Sequence, residues 1–356
     1  MNNISIKHIL IIRFKEIGDA IVSTVISNTL RKTFPDAKID IVLNKSIAPI
    51  FKGHPSIDRI ISFDKKENKN IKYLKKIYLM MHQTHYDAII DMRSTIKTFP
   101  FSIFSLSTPL RIGRWKRYNK WVHNYRIKDN LNDDRITNNL SLLKPLEKIK
   151  NIQYVNKYTL HITDKEKASF KDYMINNGIN INKPIILVEV TSKIDDKIWD
   201  KNKMVVIVKR ILDSYTDTQL IFNYVPGGKE EQRAYWIYNK LNKDKRIFFK
   251  IKANSVRELA AMNNYITFFF GNEGGTGHVA HAMNVPSFVI CAPTTSKKLW
   301  IPRSGVLAKG ISSSDFVPLK EQKGMSIKER YDLIPLEEVW KQLKSLLDEI
   351  IVPYSI

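Results

Sequence analysis

The sequence predicts an α/β protein of two domains, each a parallel sheet flanked by helices. Three observations carry this. Short apolar runs of strand length alternate with segments of helical apolar spacing along the chain. The 356 residues suit two domains of ordinary size, and 43% hydrophobic content can fill a core in each. A polar stretch ending in proline, NNGININKP (Asn176–Pro184), separates two such series. The expected domains are therefore 1–178 and 179–356, with the last helix packing back on the first domain.

In the first series, His8–Phe14 reads as a buried strand, KEIGD as a turn, and Ala20–Thr33 as a helix. Pro35 and Asp36 break the chain before a second strand in PDAKIDIVLN. Ser46–Gly53 reads as a short helix and Asp58–Phe63 as a third strand. A Lys-rich loop and helix follow, then a fourth strand over Tyr86–Asp91. Arg111–Arg126 is dense in Arg, Trp, Tyr and Lys, with weak periodicity. Ile136–Leu143 is helical and is expected to stop before Pro145, and Ile162–Asn177 is another helix. In the second series the expected strands are Ile185–Val190, Gln219–Tyr224, Tyr265–Phe270 and Pro286–Cys291. The expected helices are Lys201–Ser214, Glu230–Leu241, Ser255–Asn263 and Leu336–Ile350. Strands alternating with helices imply parallel sheets, with ligands at the carboxyl ends of the strands.

Charge narrows the partner. The formal net charge is +23, from 58 Lys+Arg against 35 Asp+Glu. Such an excess points to nucleic acid, anionic lipid or a phosphorylated substrate, although its even spread also fits a chain generally rich in Lys, Ile and Asn. The single cysteine, Cys291, excludes an internal disulfide and a thiolate zinc cluster, and is expected in the core. The apolar N-terminal run and Phe99–Leu110 are both too short to span a bilayer. A cytosolic protein touching a membrane surface fits these features.

The most specific motif is GNEGGTGHVAHAMNVP, Gly271–Pro286, directly after an apolar strand. A glycine-rich turn into a helix leaves free N–H groups at a positive helix end, a ready site for phosphate. Glu273 beside it can accept hydrogen bonds from a ribose or from backbone amides. Asp19 follows Gly18 in the turn after the first strand. It either caps the next helix or projects a carboxylate that can take a proton from a hydroxyl.

Several stretches together resemble glycosyltransferase family 9, the ADP-heptose:lipopolysaccharide heptosyltransferases. They are IIRFKEIGDAIVSTVISNTLRKTFPDAKIDIV, HPSIDRIISFD, YDAIIDMRSTIKT, NSVRELAAMNNYITFFFGNEGGTGHVAHAMNVPSFVICAPTT and LWIP, in the family's order and spanning essentially the whole chain. The resemblance implies a GT-B fold, two Rossmann-like domains facing across a cleft. It implies an inverting glycosyltransferase that needs no metal. Its donor would be a nucleotide sugar, most often ADP-linked. Its acceptor would be an acidic glycolipid at the anionic inner face of the cytoplasmic membrane, so no nucleic acid is expected as partner. A non-catalytic sugar-nucleotide binder and a basic nucleic-acid-binding protein are the alternatives.

By the same resemblance Asp19 takes the place of the family's base, and Lys197, in DDKIW, that of a cation meeting the donor's phosphates. Thr191 and Ser192, at the end of the preceding strand, can donate hydroxyls to phosphate. Glu273, Gly274, Gly275, Thr276 and His278 form the nucleotide loop, and Thr294 resembles a turn facing the donor. The family pattern there is roughly GNDTGPMH, so Glu273 stands for Asp, Gly274 for Thr or Ser, Thr276 for Pro and Gly277 for Met. Glu231 or its neighbour Glu230 can hydrogen-bond a ribose, or simply suit a helix N-terminus. His278 is a ligand contact or a structural histidine. On the acceptor side stand Gly18, Arg93, Lys97 and Arg114, close to Arg111, Lys116 and Arg117 and interleaved with Trp115, Tyr118 and Trp121. Asp133 and Asp134 replace a His that several relatives carry.

Overall fold

A computed structural model of the chain describes residues 5–14, 16–64 and 71–351. It divides into two compact units, Met1–His161 and Ile162–Ile356. The boundary expected at residue 178 thus lies one helix further upstream. Packing explains the shift. The helix Asp164–Asn176 rests on the helix Val256–Asn263 of the second series. There Arg257 Nε donates to Glu166 at 2.6 Å, and the Tyr265 hydroxyl donates to Lys167 O at 3.1 Å.

The first unit runs β1 (His8–Arg13), α1 (Ile17–Val22), α2 (Thr24–Thr33), β2 (Lys38–Asn44), β3 (Arg59–Phe63), α3 (Ile71–Gln83) and β4 (Ala88–Asp91). It continues with α4 (Phe99–Ile103), β5 (Leu110–Arg114), β6 (Tyr125–Ile127) and α5 (Arg135–Leu140). The sheet order is β3-β2-β1-β4-β5-β6, parallel throughout. Unbroken aliphatic runs such as Ile9–Ile12 suit strands covered on both faces, and all four residues are buried.

Two local expectations change. The single helix expected over Ala20–Thr33 starts earlier and breaks at Ser23, whose hydroxyl donates to Ala20 O at 2.6 Å. Gly18 and Asp19 therefore sit in a helical turn. Lys15 of the expected turn, and residues 65–70 of the Lys-rich segment, lie outside the described residues. The helix expected to stop before Pro145 passes into a 3-10 helix, Ser141–Lys148, with Pro145 inside it. Buried Leu142, Leu143 and Leu146 hold that turn to the core.

The second unit runs α6 (Asp164–Asn176), β7 (Ile185–Glu189), α7 (Lys201–Ser214), β8 (Gln219–Asn223), α8 (Lys229–Lys240), α9 (Val256–Asn263), β9 (Phe268–Asn272) and α10 (Gly275–Ala282). It continues with β10 (Ser287–Ile290), α11 (Lys297–Trp300), β11 (Ala308–Ile311), α12 (Ile327–Asp332) and α13 (Leu336–Ile351). Its order is β11-β10-β9-β7-β8, again parallel. The last helix, expected on the first domain, buries Val339, Leu343, Leu346 and Leu347 in the core of the second unit beside α7. Cys291 is buried as expected, and burial pushes its thiol pKa up.

Strand order reverses between β1 and β4 in one sheet and between β7 and β9 in the other. At such a switch point the loops leave in opposite directions and open a crevice at the carboxyl ends. No helix among the described residues is long and apolar enough to cross a membrane.

Candidate active site

At the first switch point, Asp19 is the third residue of α1. The N-cap position belongs to Glu16, so Asp19 is not the cap. Arg13, the last residue of β1, donates to Asp19 Oδ1 at 2.6 Å and through Nε to Asp19 O at 3.3 Å. The Arg13 side chain is buried and the Asp19 carboxylate is mostly so. Arg93 follows β4 and donates to Phe14 O at 2.9 Å. Its loop is fastened by buried Asp91, which accepts from Arg93 N at 2.9 Å, Ser94 N at 2.7 Å and the Thr98 hydroxyl at 2.6 Å. Lys97 lies exposed on that loop, its carbonyl taking the Tyr73 hydroxyl at 2.6 Å.

Arg114, closing β5, is buried and donates to Asp129, to Asn138 O at 3.0 Å and to Asn139 Oδ1 at 2.8 Å. Burial, then the fields of Arg13 and Arg135, push its pKa down to about 9, with Asp19 opposing. Burial also pushes Arg13 down to about 10; Asp19 opposes this, while Arg135 and Arg93 add to it. Both stay charged at neutral pH. Four guanidinium groups thus share one electrostatic neighbourhood, with the Asp19 carboxylate opposing the shifts of Arg13 and Arg114 and Asp129 paired to Arg114. Asp134 caps α5 by accepting from Thr137 N at 2.7 Å.

At the second switch point the glycine-rich motif forms as read: strand β9, a turn, then α10 with Gly274 at its N-cap. Gly271 has φ +145°, and a Cβ there would lie 2.4 Å from Glu189 O, so only glycine lets β9 come this close to β7. Asn272 fastens the two strands' loops. Its side chain accepts from Trp199 N at 2.9 Å and donates to Glu189 O at 3.1 Å. That bond fixes the 3-10 turn Asp195–Lys197, which Arg233 also holds through Asp195 at 2.6 Å. Lys197 Nζ then lies 2.7 Å from Glu273 Oε1. The other Glu273 oxygen accepts from Ala292 N at 3.2 Å and from the Thr295 hydroxyl. Sequence reasoning named Lys197 and Glu273 separately; the fold makes them a pair.

Around them the space is polar and partly open. A Cβ added at Gly274 or Gly275 would meet nothing within 4 Å. The buried Thr191 hydroxyl has no hydrogen-bond partner among the described residues, and Ser192 Oγ accepts from Ile194 N at 3.3 Å. His278 is half-buried, its ring edge-on to Trp300 at 5.4 Å. Thr294 is exposed, and its neighbour Thr295 makes the Glu273 contact instead. Glu231 accepts from Gly227 N at 2.7 Å and from Lys252 at 3.0 Å, which hold its carboxyl below the usual range. Lys252 in turn lies 5.1 Å from the centre of the Tyr224 ring. Ser192, Lys193, Asp195, Gly228, Glu230 and Arg233 are among the residues lining a cavity of about 310 Å³ beside the start of α8.

Glu189, Arg13, Arg135, Lys252 and Thr295 were not singled out in the sequence. Arg13 and Glu189 shared one signal, a charged residue closing an otherwise aliphatic strand. Glu189 closes β7 in the same way and accepts from Asn223 at 2.6 Å, while Asn223 also reaches Thr276 at 3.1 Å. Burial pushes the Glu189 carboxyl up from 4.5 to about 8, against the pull of Asn223 and Thr276, with Glu230 adding to the rise. A carboxyl raised in the folded state favours folding least when ionised, so this group's contribution falls as pH climbs from 4.5 to about 8. Glu189→Gln, which cannot ionise, should therefore gain Tm over wild type between pH 5 and pH 8, by the equivalent of a few kcal/mol (roughly 1.4 per shifted unit). A gap that stays constant with pH would show that Glu189 ionises normally.

Two Rossmann-like units, each with its polar side chains at a carboxyl-end switch point, define the architecture of a GT-B glycosyltransferase. A family profile, Glycosyltransferase family 9 (heptosyltransferase), matches residues 76–331. The chain belongs to that family and is a glycosyltransferase. It is 24% identical over 303 residues to lipopolysaccharide heptosyltransferase 1 of Campylobacter coli, covering 81% of this chain and 84% of the relative. It is 21% identical over 349 residues to lipopolysaccharide heptosyltransferase 3 of Escherichia coli K12, covering 93% and 96%. A family 9 glycosyltransferase structure from Veillonella parvula superposes with a TM-score of 0.80 at 16% identity, over 96% of this chain and 98% of that one. The E. coli heptosyltransferase WaaC, solved with ADP-2-deoxy-2-fluoro heptose, gives 0.68 at 14% identity, over 95% and 99%.

Proposed function

We propose that this protein is an inverting, metal-independent heptosyltransferase. It takes heptose from ADP-heptose and adds it to a lipopolysaccharide inner-core or related acidic glycan acceptor. The acceptor is presented at the inner face of the cytoplasmic membrane, where the protein is peripheral. The observation that carries the reading is the second switch point: a lysine, an unpaired buried hydroxyl and an open glycine-rich helix start stand where a diphosphate would lie. The lipopolysaccharide relatives and the ADP-sugar complex of WaaC support the choice of donor.

In this reading Asp19 removes the acceptor hydroxyl proton as that oxygen bonds to the anomeric carbon. The anomeric carbon–phosphate oxygen bond breaks on the opposite face, and ADP leaves with the bonding pair. Lys197, the hydroxyls of Thr191 and Ser192, and the N–H groups of Gly274, Gly275 and Thr276 take up the charge that develops on the diphosphate. His278 and Thr294 border the sugar, Glu231 holds the ribose, and Glu273 orients Lys197. Gly18, with no side chain, leaves the approach to Asp19 unobstructed on its side. Arg93 and Lys97 meet acceptor carboxylates or phosphates. The Arg114 contacts to Asp129, Asn138 and Asn139 leave it to act chiefly through its field.

Titration of the protein with ADP, UDP, GDP and CDP, each with magnesium and with EDTA, tests this. ADP should bind best, and EDTA should leave its affinity unchanged. Preference for UDP or GDP would replace the donor; binding that vanishes in EDTA would overturn the metal-free mechanism. No nucleotide binding would overturn the reading itself.

A further inference from the structure

The first unit carries an exposed face that its switch point does not explain. α3 buries Tyr73, Ile77 and Met81 toward the core, yet Leu74 and Tyr78 face outward, 38% and 46% exposed. Next to them stand Ile103 at the end of α4 and Leu106 just after it, 46% and 62% exposed. Tyr118 and Trp121 follow on the loop after β5, at 59% and 81%. These segments form one surface. The Tyr78 and Phe104 rings meet edge to face at 5.5 Å, and Phe99 meets Tyr118 at 6.0 Å. Arg111 ties the turn to the loop, donating to Leu106 O and Thr108 O at 2.7 Å and to Val122 O at 3.2 Å.

Its charge is one-sided. Eight of the Lys and Arg side chains within residues 71–128 are exposed, while that stretch holds two Asp and no Glu. Neither acid offsets that surface. Asp91 is buried under the Arg93 loop, and Asp87 accepts from Lys7 N and His8 N at the amino end of the sheet. Lys120 lies 4.8 Å from the Trp121 ring, and Lys128 lies 6.0 Å from that of Trp115.

We propose that this face docks on an anionic lipid bilayer. Trp and Tyr suit the headgroup zone, lysine and arginine meet lipid phosphate, and aliphatic tips enter the acyl boundary. Nucleic acid fits less well, because Leu74, Ile103 and Leu106 offer no flat ring for a base to stack on. The proposal deepens the functional reading by naming the surface that brings the enzyme to a lipid-borne acceptor, and it is measured without turnover.

The test is co-sedimentation of the whole protein with vesicles of phosphatidylcholine alone and of phosphatidylcholine mixed equally with phosphatidylglycerol. Three proteins are compared: wild type, a Leu106→Ser/Trp121→Ser double variant, and Lys120→Glu. Wild type should sediment with the mixed vesicles and not with phosphatidylcholine alone. The double variant should lose about tenfold in partitioning. Lys120→Glu should lose less, and its loss should shrink as salt rises. All three should keep the same circular dichroism and the same ADP-induced thermal shift, so a failure to dock is distinct from a failure of the transferase reading. Wild type that stays in solution, a double variant that sediments like wild type, or retention on single-stranded DNA in place of vesicles would each overturn the proposal.

Discussion

Asp19→Asn should lower kcat by about a thousandfold while ADP binding stays within about twofold of wild type. The reason lies in what the substitution keeps. Asparagine retains an oxygen that can accept from Arg13, whose guanidinium lies 2.6 Å from Asp19 Oδ1. It loses only the charge and the capacity to take a proton. The residues proposed to bind the donor stand in the other unit, so donor affinity should not follow. Stability will fall somewhat, because a buried Arg13 loses its counter-charge, and such losses reach about 3–5 kcal/mol when no partner remains. Turnover is therefore read well below the variant's Tm. If Asp19→Asn turned over at the wild-type rate, the base would have to be another group. If ADP affinity fell in parallel, Asp19 would be acting on the fold.

Lys197→Ala should cost about a hundredfold to a thousandfold in kcat and weaken ADP as well. Two effects are superimposed. In the proposed mechanism the ammonium group no longer faces the departing diphosphate, and the Glu273 carboxylate loses a partner at 2.7 Å while its side chain is only 10% exposed. An unpaired buried carboxylate costs at least about 1–3 kcal/mol. A second variant separates the effects. Lys197→Ala/Glu273→Gln removes the stranded charge, so its Tm should recover toward wild type while its kcat stays low. Recovery of kcat together with Tm would mean that Lys197 acts only by balancing Glu273.

The strongest parts of this reading were local in sequence. Gly271, Asn272 and the glycines after them mark a strand end and a helix start within a few residues, and both appear where periodicity puts them. α7, Lys201–Ser214, matches residue for residue. What escaped depends on partners far along the chain. Nothing near Glu189 shows that Asn223 and Thr276 will enclose it. Thr295 looks no better than Thr294 until the turn places its hydroxyl on Glu273. The five-residue β5 and three-residue β6 are hidden by their arginines and by a polar neighbourhood. The unit boundary misled because composition marks Asn176–Pro184 as a linker, whereas the packing of α6 on α9 decides which unit owns the helix. The pairs Arg13–Asp19 and Lys197–Glu273 show both cases: one is six residues apart and follows a strand end, the other spans 76 and needs the fold.

The crowd of guanidinium groups around Asp19 has a consequence beyond catalysis. The fields of Arg93 and Arg135 work against the charged form of Arg13, and those of Arg13 and Arg135 against that of Arg114, while Asp19 works for the charge in both. This corner is frustrated: the chain has gathered like charges that would separate if the sheet allowed it. The proposed acceptor, a multiply anionic sugar, would relieve that tension on binding. Under that proposal recognition and local tightening become one event, and charge number sets selectivity before any sugar hydroxyl is read.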